Sequence, residues 1–232
     1  MSYDQGYFDA AFGGLKDSVF RRRWVRACAL MGGYGGLSCD AVLEFGAGLG
    51  QNLGEFQTAE KWAVDISDVS AQACRSQGFH WCSSLDDVPA GHFDVILAHH
   101  SLEHVFDPHA TLLRLRDKVR ADGRLFIAVP VEDGCVPEDV GAVDLQRHLY
   151  SWTPNTLKNL CLISGWRPLW IKRRCGRGLH RTLALAECAP RLFLALRDSA
   201  DRYLPQSTGE IVVCCQPGSL PCVSAGTAGV GA

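Results

Sequence analysis

Short apolar runs recur along this chain, each too short to be a helix, and the intervals between them are long enough to hold one. They lie near Ala41, at Trp62 to Ile66, Phe79 to Cys82, Phe93 to Ala98, Arg124 to Val129, Trp166 to Lys172 and Gly209 to Cys215. Between them the apolar positions change to helical spacing. Phe12, Leu15, Val19, Phe20, Trp24 and Cys28 make a first helix that Gly32, Gly33, Gly35 and Gly36 stop. Ser67 or Asp68 caps a second that ends at Gly78. Asp107 and Pro108 open a third, with Leu112, Leu115 and Val119 as its buried stripe and Gly123 as its end. Thr153 and Pro154 open a fourth, with Leu157, Leu160 and Cys161 facing the core and Gly165 as stop. A helical stretch broken by Pro190 precedes the last run. This alternation predicts an open α/β sandwich: a seven-stranded, mostly parallel sheet with helices on both faces. A ligand is then expected beyond the carboxyl ends of the strands, near the first and fourth.

The first run ends in Glu44-Phe45-Gly46-Ala47-Gly48-Leu49-Gly50, a turn with glycine at every second position. Such glycines allow positive φ and leave no Cβ between the main chain and a bound molecule. A dinucleotide fingerprint would place its last glycine at position 51, where this chain has Gln51. The carboxylate of Glu44 would repel a pyrophosphate, yet it suits a ligand carrying an ammonium and a sulfonium, as S-adenosylmethionine does. Asp65, nineteen residues after Gly46 at the tip of the second run, has the spacing of an acid that accepts hydrogen bonds from ribose hydroxyls.

Val42 to Gly50, Ala63 to Ser67, Phe93 to Pro108 and Gly123 to Pro130 resemble, in order, the signature segments of class I S-adenosylmethionine-dependent methyltransferases. The fourth-strand segment, FDVILAHHSLEHVFDP, is similar to that of the small-molecule branch typified by ubiquinone biosynthesis. The resemblance covers roughly Ala41 to Trp170. It implies a Rossmann-like fold whose last strand is antiparallel, with S-adenosyl-L-methionine as cofactor. The implied cofactor contacts are Glu44, Phe45, Gly46, Ala47, Gly48 and Gly50 in the glycine turn, Asp65 and Ile66 after the second strand, Ser84 and Leu85 after the third, and His99 at the end of the fourth. Serine stands where the family often has an adenine-binding acid, so Asp86 or Asp87 is a candidate substitute. Residues 1–40 are expected to form a helical lid in which Tyr3, Tyr7 and Phe8 cover the cofactor, residues 41–216 the methyltransferase domain, and residues 217–232 a disordered tail rich in Gly, Ser and Ala. The segment from His148 to Leu157 resembles the stretch that lies over the family's substrate pocket.

Four titratable groups, His99, His100, Glu103 and His104, crowd the rim after the fourth strand. His100 is the first candidate for a base that takes a proton from an attacking hydroxyl, and His148 is its rival. His100, Glu103 and His104 also have the i, i+3, i+4 spacing of a metal-binding helical face, but no fourth ligand is evident and no metal is assigned. The long loop from Val131 to Leu149, which includes Asp144 and Arg147, precedes this second histidine. The acceptor class is a small molecule, most simply through a hydroxyl. A ligand-binding protein without turnover and an RNA methyltransferase are the alternatives, the latter resting on the arginine clusters at 21–26 and 173–181, both of which read more simply as solvated surfaces.

Composition changes this picture little. A formal net charge of -2 supplies no basic field for nucleic acid, and no stretch is apolar and long enough to span a bilayer. Eleven cysteines, an odd number without C-x-x-C pairs, are expected to be reduced thiols of a cytosolic protein.

Overall fold

The computed structural model describes residues 4–12, 18–132, 141, 143, 146–204 and 209–219. Seven strands form one sheet: β1 (Ala41–Phe45), β2 (Glu60–Val64), β3 (His80–Cys82), β4 (Phe93–His99), β5 (Val119–Val131), β6 (Trp166–Cys175) and β7 (Gly209–Pro217). Their order is β3-β2-β1-β4-β5-β7-β6. All neighbours from β3 to β5 are parallel, and β7 runs antiparallel to both β5 and β6, as expected from the family resemblance.

Alternation along the central strands divides the core in two. Leu43, Ile96 and Ile127 enter a cluster with Leu112 and Leu115 of α4 (Pro108–Lys118) and Leu157 and Cys161 of α5 (Pro154–Ile163). Val42, Val95, Leu97 and Phe126 face the other way, against Ala29 of α2 (Ser18–Gly32) and Cys74 of α3 (Asp68–Ser76). Glu44 shares the parity of Val42, so it enters the second layer beneath α2. A third cluster joins Ala27 and Met31 of α2 to Leu183 and Ala186 of α6 (Leu183–Cys188) and Phe193 of α7 (Pro190–Tyr203). The expected caps form: the side chains of Ser67, Asp107 and Thr153 accept backbone N–H groups of the first turns, and Thr153 completes a capping box with Thr156.

Three local expectations are corrected. Helix α4 ends at Lys118, and Val119 is buried as the first residue of β5, paired with Phe93. Gly123 therefore lies inside a strand, at the irregularity between the Phe93 and Val95 pairings. There an added Cβ would meet Val119 Cγ2 at 2.6 Å and the Phe93 carbonyl oxygen at 2.9 Å. Strand β6 extends to Cys175 and takes Arg173 and Arg174 out of the supposed surface cluster. Arg174 is buried, donating to the Met31 carbonyl at 3.0 Å, to Asp198 at 2.6 Å and to Asp201 at 2.8 Å. The start of the tail is likewise built in: Pro217 ends β7 opposite Trp166, and the Gly218 N–H donates to the Gly165 carbonyl at 2.9 Å. Tyr3, Leu15, Asp144 and residues 220–232 lie outside the described residues.

On α2, Arg22 and Arg23 both donate to Glu187, and Arg26 donates to Glu55. Among the described residues no helix is long and apolar enough to cross a membrane.

Because Arg174 crosses from β6 to α2 and α7 while buried, Arg174→Ala leaves Asp201 facing a dry site without its cation. The expected loss is on the order of 3 to 5 kcal/mol, read as a lower urea midpoint. A midpoint equal to wild type would show that the buried ion pair makes no net contribution to stability.

Candidate functional site

The carboxyl ends of β1, β2 and β4 open into a cavity of about 700 Å³, roofed by α1 (Gln5–Phe12) and α2 and bordered by the 146–148 segment. Its floor is the glycine turn. Gly46, Gly48 and Gly50 all have positive φ, of 72°, 50° and 71°. At Gly46 an added Cβ would lie 2.4 Å from the Ser101 Cβ, so the turn after β1 and the turn after β4 touch only because that residue is glycine. The N–H groups of Gly46 and Ala47 both donate to the Val64 carbonyl, which holds the turn over the end of β2.

Glu44 is 1% exposed. Its Oε1 accepts from Asn52 Nδ2 at 2.7 Å, and Asn52 Oδ1 accepts in turn from the Tyr34 hydroxyl at 3.2 Å. Oε2 is buried and has no hydrogen-bond partner among the described residues. Burial pushes the carboxyl up to about 8, against the smaller opposing effect of the Asn52 hydrogen bond. Asp65 is partly buried, which raises its pKa. Its two oxygens accept from Gly48 N at 2.8 Å and Ser67 N at 2.9 Å, leaving lone pairs for a ligand. Ile66 projects from the wall at 68% exposure.

Phe45, Ala47, Ser84, Leu85 and His99 also line the cavity, with Tyr7 and Phe8 of α1. Ser84 caps the turn after β3, and Arg114 of α4 donates to Asp86 at 2.7 Å. That ion pair occupies Asp86, and neither Asp86 nor Asp87 borders the cavity, so neither replaces the missing adenine acid. Gly50 stands behind the turn against Cys74 and Phe79 and shapes the loop from outside the cavity.

The histidines divide into two groups. His99 and His100 stack at 4.6 Å with planes 19° apart, and His100 has a left-handed φ of 51° that turns its ring along the rim. The His100 Nε2 lies 3.2 Å from Glu210 Oε1, brought in by β7. Burial lowers the His99 pKa to about 4, so that ring is neutral. For His100 burial works in the same direction, but the Glu210 hydrogen bond and the charges of Glu210 and Glu103 outweigh it and raise the pKa. Burial would raise Glu210, yet the His100 hydrogen bond and the charges of both histidines and Arg174 hold it at about 2.

The second group is Glu103, His104 and His148. Residues 102–104 form a single 3-10 turn, not a helical face, so His100 does not join Glu103 and His104 as one triplet. His148 takes that place, with its ring 4.9 Å from that of His104. His100 thus sits beside Glu210 and His148 beside Glu132, while His100 Nδ1 at 3.9 Å and His148 Nε2 at 4.0 Å flank the same Glu103 Oε1.

Sequence reasoning missed Tyr34, Asn52, Glu132 and Glu210. The available signal for Glu210 was an acid entering an otherwise apolar strand, Ile211 to Cys215. For Asn52 it was an amide eight residues after an acid that had to be buried.

Residues 20–169 match the family model described as a methyltransferase domain. No curated protein matches the sequence. Among solved structures, the chain is similar to a putative methyltransferase of Haloferax volcanii solved in complex with the Trm112 methyltransferase activator. That pair has a TM-score of 0.64 at 16% identity, covering 94% of this chain and 100% of the other. It is similar also to Burkholderia thailandensis 1,6-didemethyltoxoflavin-N1-methyltransferase, solved with bound 1,6-didemethyltoxoflavin and S-adenosylhomocysteine (TM-score 0.59, 20% identity, 92% and 84% covered). A third likeness is to Haemonchus contortus phosphoethanolamine N-methyltransferase 2 in complex with S-adenosyl-L-methionine (TM-score 0.60, 13% identity), where 93% of this chain spans 60% of that one. At these identities the likenesses establish the fold, while the family match extends over β1 to β5 and over His99, His100, His104 and His148, and the chain belongs to the methyltransferase domain family.

Proposed function

We propose that this S-adenosylmethionine-dependent methyltransferase acts on a hydroxyl oxygen of a small molecule, with His100 as the base and Glu210 as the residue that orients it. The observation that carries the reading is the Glu210–His100 pair at 3.2 Å on the cavity rim. An ionised Glu210 accepts from Nε2–H, which fixes the tautomer and leaves Nδ1 able to take a proton. A hydroxyl must lose a proton as it is methylated, so a base set at the methyl-presenting end of the cavity has a use there. An acceptor without an acidic proton would give it none.

The residues fit the cofactor. Glu44 offers a buried carboxylate oxygen with no partner, which an ammonium would satisfy, and Asp65 has lone pairs free for ribose hydroxyls. Ile66 and Leu85 supply apolar surface, and Gly46, Ala47 and Gly48 let the main chain approach closely. Phe45, Ser84 and His99 complete that wall, and Tyr7 and Phe8 of α1 serve as part of its cover. When bound, the cofactor supplies an electrophilic methyl group on sulfur. The chain's own contribution is to hold the acceptor in line, exclude water beneath α1 and α2, and remove the proton at His100 Nδ1. Well-oriented placement of this kind contributes on the order of 7 to 11 kcal/mol.

The RNA reading is weakened where Arg22, Arg23 and Arg26 are paired to acids and Arg174 is buried.

His100→Ala is expected to lower kcat by about 10² to 10⁴ while calorimetric binding of S-adenosylhomocysteine is unchanged. Glu210→Gln should give a smaller loss in kcat with little change in KM. An acceptor screen in which His100→Ala turns over at the wild-type rate would reject the hydroxyl reading. Glu44 gives a second expectation. Its carboxyl titrates at about 8 in the ligand-free protein, and a bound ammonium lowers that value, so binding must release a proton below pH 8. Affinity should therefore rise as pH increases from about 6 to 7.5, and calorimetry in buffers of different ionisation enthalpy should report release approaching one proton per ligand. In Glu44→Gln both the release and most of the affinity should disappear. Heats independent of the buffer would mean that Glu44 does not meet the ammonium.

A further inference from the structure

Behind the cavity wall Glu103 is 0% exposed, and neither of its carboxylate oxygens has a hydrogen-bond partner among the described residues. A charge in that position is sustained only by a cation or by donors. Facing it is His148, whose Nε2 lies 4.0 Å from Glu103 Oε1. On its other side Nδ1 of His148 pairs with Glu132, and the second oxygen of Glu132 accepts from Ser151 Oγ at 2.8 Å. The Glu132 contact at Nδ1 leaves Nε2 as the ring nitrogen of His148 that faces Glu103. Around Glu103 Oε1 stand His148 Nε2 at 4.0 Å and His100 Nδ1 at 3.9 Å, both beyond hydrogen-bond range. One ligand atom from each of Glu103, His104 and His148 lies within 4.8 Å of the other two.

We infer that Glu103, His104 and His148 form a binding site for a divalent first-row transition ion, represented by Zn²⁺, with Glu132 orienting His148 from outside the coordination sphere. Two imidazoles and a carboxylate are a donor set that zinc takes, and ligands about 2.0 to 2.2 Å from a tetrahedral ion lie roughly 3.4 Å apart. A carboxylate on the far ring nitrogen is the usual support of a metal-bound histidine. His104 and His148 border the cavity and Glu103 does not, so the remaining coordination positions open toward the acceptor side. An ion there would bind an acceptor oxygen and lower the pKa of its hydroxyl. That role, unlike the site itself, rests on the hydroxyl reading above. The neighbouring group of His99, His100 and Glu210 is a poorer cage, because its two rings are nearly parallel and their in-plane lone pairs do not converge.

The test is titration of the metal-stripped full-length chain with Zn²⁺ against a chromophoric chelator, with Co²⁺ absorption as the reporter of geometry. One ion per chain is expected, with visible Co²⁺ bands of a four- or five-coordinate N/O site. The near-ultraviolet thiolate band that binding to cysteines such as exposed Cys188 would give should be absent. His104→Ala and His148→Ala should each weaken binding at least about 100-fold, Glu132→Gln by about 10- to 100-fold, and His180→Ala not at all. Circular dichroism identifies any variant that fails to fold, and Glu103→Gln serves beside the histidine variants for that case. The inference is overturned if the folded chain binds no ion, if binding survives both histidine changes, or if ¹⁵N shifts show His148 doubly protonated and indifferent to Zn²⁺ near neutral pH. No cofactor or acceptor enters the titration, so its failure is separate from a failure of the hydroxyl reading, which the His100 kinetics decide.

Discussion

A carboxylate that cannot reach water sits at the end of the central strand, and the ligand-binding half of the molecule is arranged around it. β1 is flanked by β2 and β4, so Glu44 cannot swing sideways, and α2 with Tyr34 closes the layer above it. The hydrogen bonds from Tyr34 to Asn52 and from Asn52 to Glu44 satisfy one oxygen, and the other is buried beside the cavity with no hydrogen-bond partner among the described residues. Burying a charge in this way costs several kcal/mol, which explains why its proton is retained to about pH 8 without ligand. The glycine turn wraps immediately beyond it, so whatever neutralises Glu44 must also lie against bare main chain.

The fold was legible because its determinants are local. Strand-length apolar runs, Ser67, Asp107 and Thr153 as caps, and Gly78 and Gly165 as stops each act within a few residues, and the structure forms them where the pattern places them. The boundary between α4 and β5 was misread because Val119 satisfies both periodicities. Pairing with Phe93 across the sheet decides the matter, and nothing near Val119 in sequence reports it. Arg174 was read as part of a surface cluster for the same reason, since its partners Asp198 and Asp201 lie on a different element.

The site was legible unevenly. Glu44, Asp65 and the glycines stand in the order in which the strands present them, and all but Gly50 reach the cavity wall. The two histidine groups were not separable, because i, i+3, i+4 spacing implies a shared face only on an α-helix. A single 3-10 turn and a left-handed residue at His100 send the rings to different partners. Each partner acid, Glu210 and Glu132, comes from a strand or loop distant in sequence. Both groups are therefore properties of the sheet order as much as of the motif after β4.

That sheet order also bears on how the molecule assembles. β7 lies between β5 and β6, so β6 has no strand to pair with until a segment more than thirty residues further along the chain has inserted beside it. Contacts of that sequence separation form slowly, and an unpaired β6 meanwhile offers a free edge to other chains. The same insertion delivers Glu210 to His100. Closing the sheet and bringing Glu210 to His100 are thus a single late event, and a partly folded chain would hold the glycine turn before that histidine had its partner acid.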